Sequence, residues 1–228
     1  MARGGKRAER PVPLPLPPAQ RTIGQLIAES IKLYGRHFLR ALPLGVGIAA
    51  INQLTVGADR LVVGAVLLVA APAFSAAYAY ACQLEAEQPA SRRSWFVAIA
   101  AGSLVFVPAA LLFPWFALAA VLWLGLVGLA VPAAMREGTS VTASLRRGLE
   151  LGRVDYLHAA GALATLVILF FLMRVGLALL LESQADNTVR TAIFLSDAVL
   201  APLLFLGGAI LYEDQKARLD SRQNRGKE

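Results

Sequence analysis

Between Trp95 and Met135 the chain has no Asp, Glu, Lys or Arg. As one helix, residues 95 through 135 would be about 61 Å long, twice the roughly 30 Å hydrocarbon core of a bilayer. The run therefore divides into two membrane spans. Charge is scarce throughout. Only 16% of residues are charged and 57% are hydrophobic, whereas soluble domains are about 25% charged. A water-soluble fold is thereby excluded. There is one cysteine, Cys82, which rules out an internal disulfide and reads as a small packing residue near the end of a span. The two histidines, His37 and His158, have no cysteine or carboxylate cluster beside them and read as interfacial residues, not metal ligands.

Catalytic signatures are missing too. The chain has no P-loop, GxSxG, HExxH or CxxC pair. Gly45-Val-Gly47-Ile-Ala-Ala50 matches GxGxxA, but it lies in an apolar span with no strand before it, so the dinucleotide reading fails its context. The segments between spans are too short to fold a catalytic domain. No enzyme activity, no cofactor and no metal is expected.

What is present is an all-α pattern: a polytopic membrane bundle with six transmembrane helices and two amphipathic interfacial helices. Residues 1–21 hold five prolines and five Lys/Arg, too little apolar surface to fold, and read as a disordered basic tail with a Pro15–Pro18 PxxP. Thr22-Ile-Gly-Gln25 fits a capping box that starts a helix. Ile23, Leu26, Ile27, Ile31, Tyr34 and Phe38 share one face of it; Gln25, Glu29, Lys32 and Arg36 share the other. That helix is expected flat at the interface, apolar side on acyl chains, with Pro43 bending the chain into the first span. The spans are expected at 41–58, 61–82, 95–113, 115–135, 157–181 and 191–212. Ala73, Ala77 and Ala81 form a small-residue row suited to close contact in the second. Phe113-Pro114-Trp115 makes the turn between the third and fourth. A second amphipathic segment carries Val141, Leu145 and Leu149 with Gly148 and Gly152 on one face. The last helix passes Tyr212, with Asp214–Arg218 and Lys216–Asp220 at i,i+4, into a charged tail at 213–228 whose end, SRQNRGKE, reads as disordered.

Lys and Arg are divided unequally between the sides. Eight lie before residue 41, two in 83–94, four in 136–155 and five from 213 onward. The opposite side has Arg60 and Arg190. This split places both termini in the cytoplasm by the positive-inside rule, and the five tyrosines fall near the same side with hydroxyls in reach of headgroups. Arg-over-Lys and alanine-rich usage fits a bacterial inner membrane. The net charge of +7 sits between spans and at the ends, a membrane pattern and not a nucleic-acid footprint. Membrane lipids are the expected partner, through Lys32, Arg36, Arg146 and Arg147; a second membrane protein or a further copy of the chain is the other partner open to it.

Two charges fall inside spans, where each costs roughly 3 kcal/mol: Arg174 in the fifth and Asp197 in the sixth. Arg174 lies about 27 Å along its helix from Tyr156, and Asp197 about 22 Å from Tyr212. Similar heights on consecutive helices predict a salt bridge. Its plain role is packing; its sharper role is handling an ion, proton or substrate in a small transporter. Asn52 and Gln53 in the first span are expected to hydrogen-bond between helices.

Three stretches carry a family resemblance: Ile23-Gly24-Gln25-Leu26-Ile27 through Leu33-Tyr34 and Phe38; Arg136-Glu137-Gly138 with Val141, Ala143 and Leu145-Arg146-Arg147; and Leu211-Tyr212. Over about residues 22–220 the chain resembles the bacterial six-span membrane domain attached to some glycerophosphoryl diester phosphodiesterases and its YciC-like stand-alone relatives. In the phosphodiesterases the chemistry belongs to a separate soluble barrel with metal-binding carboxylates and histidines. Residues 1–228 contain no such barrel, so the resemblance implies a membrane domain without that activity. It favours an accessory or scaffold protein contacting anionic lipids or a membrane partner.

Overall fold

Five helices begin on a side-chain oxygen that accepts an orphan backbone N–H. Thr22 and Gln25 form the full capping box, Asp59 accepts from Val62, Ser91 from Ser94, Ser140 from Ala143 and Asp155 from His158. The computed structural model describes residues 16–87 and 89–225, which form a helical bundle without strands among them. A 3₁₀ turn at Pro18–Gln20 leads into α1 (Ile23–Arg36), α2 (Phe38–Leu54), α3 (Arg60–Ala86), α4 (Arg92–Leu112), α5 (Ala117–Val127), α6 (Ala130–Glu137), α7 (Val141–Val154), α8 (Tyr156–Leu180), α9 (Asp186–Leu200) and α10 (Pro202–Arg225). The expected tail through residue 15, with the first proline of the PxxP, lies outside the described residues.

Among the described residues five units are long and apolar enough to cross a membrane: α3, α4, α5 with α6, α8, and α9 with α10. The fourth and sixth expected spans are thus each two helices. Pro132 lies in the first turn of α6 and Pro202 opens α10; neither has an N–H to continue the preceding ladder. Gly128 and Ala201 keep right-handed helical dihedrals at the joints, so each pair still runs as one span. The first expected span is shorter than 41–58 suggested. α2 is 17 residues, about 26 Å, and stops at Leu54. The chain bends at His37, where φ is −118°, and Pro43 sits inside α2. The end of the chain also differs: α10 stays helical to Arg225, through most of SRQNRGKE.

Burial corrects the phase of several expected faces. In α3 the buried line is Ala71, Ser75, Ala79 and Cys82, with Ala81 beside it; of the expected alanine row Ala81 is buried and Ala77 packs partly buried against the core, but Ala73 is exposed. α1 places Leu26, Ser30, Leu33 and Tyr34 against the bundle, on α8 and α10. Most of its apolar face is thus covered by protein and not by acyl chains as expected, with Ile31 and Phe38 left exposed. α7 likewise presses Gly148 and Gly152 onto the α5–α6 joint; a Cβ at Gly148 would lie 2.4 Å from Ala130 N and one at Gly152 2.1 Å from Leu126 O. Tyrosine hydroxyls turn inward as well. Tyr212 donates to Glu137 and Tyr156 to the Leu122 carbonyl.

The core gathers Leu26, Tyr78, Leu129, Leu151, Leu206 and Tyr212 toward the end of the bundle where the loops are charged. Around it runs an exposed apolar belt that includes Leu61, Val69, Phe96, Leu118 and Phe171. Water would not tolerate so wide a patch; a bilayer does. In α8 the buried residues are Ala159, Ala160, Ala162 and Leu166. Beyond them Ile168, Phe171, Leu172 and Leu179 are all exposed, and this far half packs beside α9, which in turn lies along α2.

Candidate functional site

Three helices bring a polar residue to one point in the half of the bundle away from the charged end. Arg174 of α8 and Asp197 of α9 approach with Nη1 and Oδ2 3.5 Å apart. Asn52 of α2 donates from Nδ2 to the same Oδ2 at 2.8 Å. The pair inferred from helix heights is therefore in contact, and Asn52 is its third member. Gln53, next in sequence, donates to the Arg190 carbonyl at 2.9 Å and pins α2 to the start of α9. The Asp197 side chain is 1% exposed and that of Arg174 29%. Asp197 Oδ1 is buried with no hydrogen-bond partner among the described residues. One carboxylate oxygen is thus doubly engaged and the other is bare. Chemically, such a group can hold its neighbours in register or take up a proton.

The contact between α2 and α9 rests on backbone proximity. Pro202 has no N–H for the Ala198 carbonyl four residues earlier. That oxygen faces Gly45, where a Cβ would come within 1.9 Å of it. Only glycine lets the two backbones meet there, and the meeting places Asn52 beside Asp197.

The opposite end is tied by a network. Arg136 of α6 pairs with Glu85 of α3 and lies 3.5 Å from Glu213 of α10. Arg147 of α7 holds Glu137 at 3.0 Å and Glu150 at 2.9 Å. Arg21, just after the 3₁₀ turn, reaches Asp214 at 2.9 Å. Arg218 donates to Asp155 at 2.8 Å and to the Arg21 carbonyl at 2.8 Å, and its Nη2 lies 3.5 Å from the His158 ring. The expected i,i+4 pair Asp214–Arg218 is replaced by these cross-helix partners: Asp214 faces Arg21 and Arg218 faces Asp155. Asp214, beyond the apolar part of α10, has a fully buried side chain. Burial pushes its carboxyl up to about 6, against the opposing pull of Arg21 and Arg218.

The residues expected at lipid headgroups fall into two groups. Arg36 and Arg146 are exposed. Lys32 is bonded to Glu29 at 2.9 Å and Arg147 is held by two glutamates, so the latter is a strut and not a free cation. The roles that reading the sequence missed are those of Arg21, Glu85, Arg136 and Asp155, and the partner of Asp214. Their only signal was charge directly flanking a span, which does not say whether a group faces water or a neighbouring helix. Among the described residues no three His, Cys, Asp or Glu gather as a metal site.

These features define an all-α helical bundle with several membrane-crossing helices, a charged end and one intramembrane charge cluster. No family model matches the chain, and no curated protein or solved structure does.

Proposed function

We propose that this chain is a non-catalytic scaffold of the bacterial inner membrane, with six spans and both termini in the cytoplasm. In this reading α2, one turn short of the others, is the sixth span. The charged end is the working surface and engages anionic headgroups or a membrane partner. The observation that carries the reading is the division of arginines there. One set, Arg21, Arg136, Arg147 and Arg218, is consumed in bracing the helices; another, Arg36, Arg40, Arg92, Arg93, Arg146 and Arg153, stays exposed on the same end. Such exposed cations near an anionic leaflet contribute about 1 kcal/mol each. The small-residue packing of α2 on α9 and α7 on α5–α6 suits a rigid frame. The resemblance to the stand-alone six-span relatives of phosphodiesterase membrane domains points the same way.

The topology is tested by labelling introduced cysteines in intact cells. An impermeant reagent should react at position 186 and not at 5 or 225; the reverse pattern would overturn the orientation. Purified protein should release no glycerol 3-phosphate from glycerophosphodiesters with or without divalent metal. A second reading, a small transporter, is favoured by the bare Oδ1 of Asp197. A stable Arg174→Leu, Asp197→Leu protein that fails to complement a deletion strain would support it, and full complementation would leave the pair as packing.

A further inference from the structure

We propose that the open cleft at the charged end binds a zwitterion bearing both an ammonium and a phosphate, the chemistry of a phosphoethanolamine headgroup. The cleft has a volume of about 380 Å³ and is lined by Pro18, Arg21, Glu85, Ala86, Arg136 and Glu213. That volume lies within the usual ligand-pocket range of about 300–1,000 Å³. Its walls come from three span ends and the 3₁₀ turn, so the site exists only once α3, α6, α10 and the N-terminal turn have assembled.

The walls present both signs with donors and acceptors to spare. Arg136 uses Nη2 for Glu85 Oε2, and the same atom lies near Glu213 Oε1. Arg21 uses Nη1 for Asp214. A guanidinium has five N–H donors, so each arginine keeps several with no partner among the described residues. Glu85 Oε1 and Glu213 Oε2 likewise have no partner among them. The four side chains are between 20% and 35% exposed, so they are partly desolvated, and charge-assisted bonds gain strength there.

Charge balance selects the ligand. Two guanidinium groups and two glutamates leave the wall near neutrality. A simple anion meets both glutamates, and a simple cation meets both arginines. A molecule with both charges satisfies each. A primary ammonium donates N–H bonds to the glutamates; a quaternary one cannot, and no aromatic ring lines the cleft to hold it by cation–π attraction. Height points to a membrane headgroup as one source. Glu85 lies 25 residues beyond Arg60, about 38 Å along α3, so with Arg60 at the far face it clears a hydrocarbon core of roughly 30 Å. Free phosphoethanolamine offers the same chemistry without acyl chains. The inference does not depend on the scaffold reading, because a transporter could hold the same lipid.

The test is lipid binding by the full chain in detergent, followed by native mass spectrometry with phosphatidylethanolamine, phosphatidylcholine and phosphatidylglycerol of matched acyl chains. Two charge-assisted bonds should favour phosphatidylethanolamine by about tenfold over each of the others. Glu85→Gln with Glu213→Gln should abolish the preference over phosphatidylcholine and turn the cleft toward phosphatidylglycerol. Ala86→Trp, which fills the cleft and keeps every charge, should reduce the preference to parity and covers the case in which the glutamine variant does not fold. Competition by soluble phosphoethanolamine would mean that the headgroup suffices; a phosphatidylethanolamine preference without competition would mean that the lipid anchors the ligand. Equal binding of the three lipids, or a preference that survives Ala86→Trp, would overturn the proposal.

Discussion

The two ends of this bundle solve the problem of charge near lipid in opposite ways. At the end away from the charged loops one carboxylate, Asp197, gathers Arg174 and Asn52 from two other helices, and a single oxygen takes both contacts. At the charged end many carboxylates and arginines share the load across α3, α6, α7, α8, α10 and the N-terminal turn. The difference follows from the solvent. Inside hydrocarbon each extra charge must be neutralised within the protein, so charges are few and each one matters. At the interface water and headgroups share the burden, and redundancy becomes affordable.

That contrast can be broken by removing one charge. Asp197→Ala leaves Arg174 without its carboxylate and should lower stability by about 3–5 kcal/mol. The Arg174→Leu, Asp197→Leu double variant should recover most of the loss, as measured by thermal unfolding in detergent and a double-mutant cycle. Additive losses, with coupling below about 0.3 kcal/mol, would show that the pair is not energetically joined.

The charged end can be sharpened by titration. The Asp214 carboxyl stands at about 6 in the folded chain against an ordinary 3.8. The folded state therefore binds its proton more readily than the unfolded state. Stability contributed by protonation is fully present below about pH 4 and is lost as pH rises through 6, a swing on the order of 3 kcal/mol for this one group. Asp214→Asn should flatten that part of the stability–pH curve. An unchanged slope between pH 4 and 6 would place the titration elsewhere.

Backbone contact offers a third test. Gly45→Ala drives a methyl into the Ala198 carbonyl and should destabilise by about 1–3 kcal/mol. Gly47, two residues on, has nothing within 4 Å of its would-be Cβ, so Gly47→Ala should be neutral or slightly stabilising in the same melts. The smallest effect is expected at the exposed cations. Arg36→Ala with Arg146→Ala should shift stability by less than about 0.5 kcal/mol yet weaken the preference of the purified protein for anionic over neutral vesicles. Retained preference would move lipid contact to other residues.

The sequence by itself determined that the chain is helical and lives in a membrane. Backbone groups in lipid must be satisfied within helices or a closed barrel, and an uncharged run of 41 residues lacks the apolar–polar alternation of barrel strands. It also brought Arg174 and Asp197 to one height, because helical rise is fixed and depth can be counted from the ends. What only the tertiary structure decided was direction around each helix. Ala71, Ser75 and Cys82 face inward on α3 with Ala81, while Ala73 is exposed, because an alanine row reads the same whether it meets lipid or protein. The apolar face of α1 met α8 and α10 for the same reason. The partners of Asp214 and Arg218 were set by where α8 and the N-terminal turn came to rest. Spacing along one helix is local, but which neighbour fills a face depends on the packing of all of them.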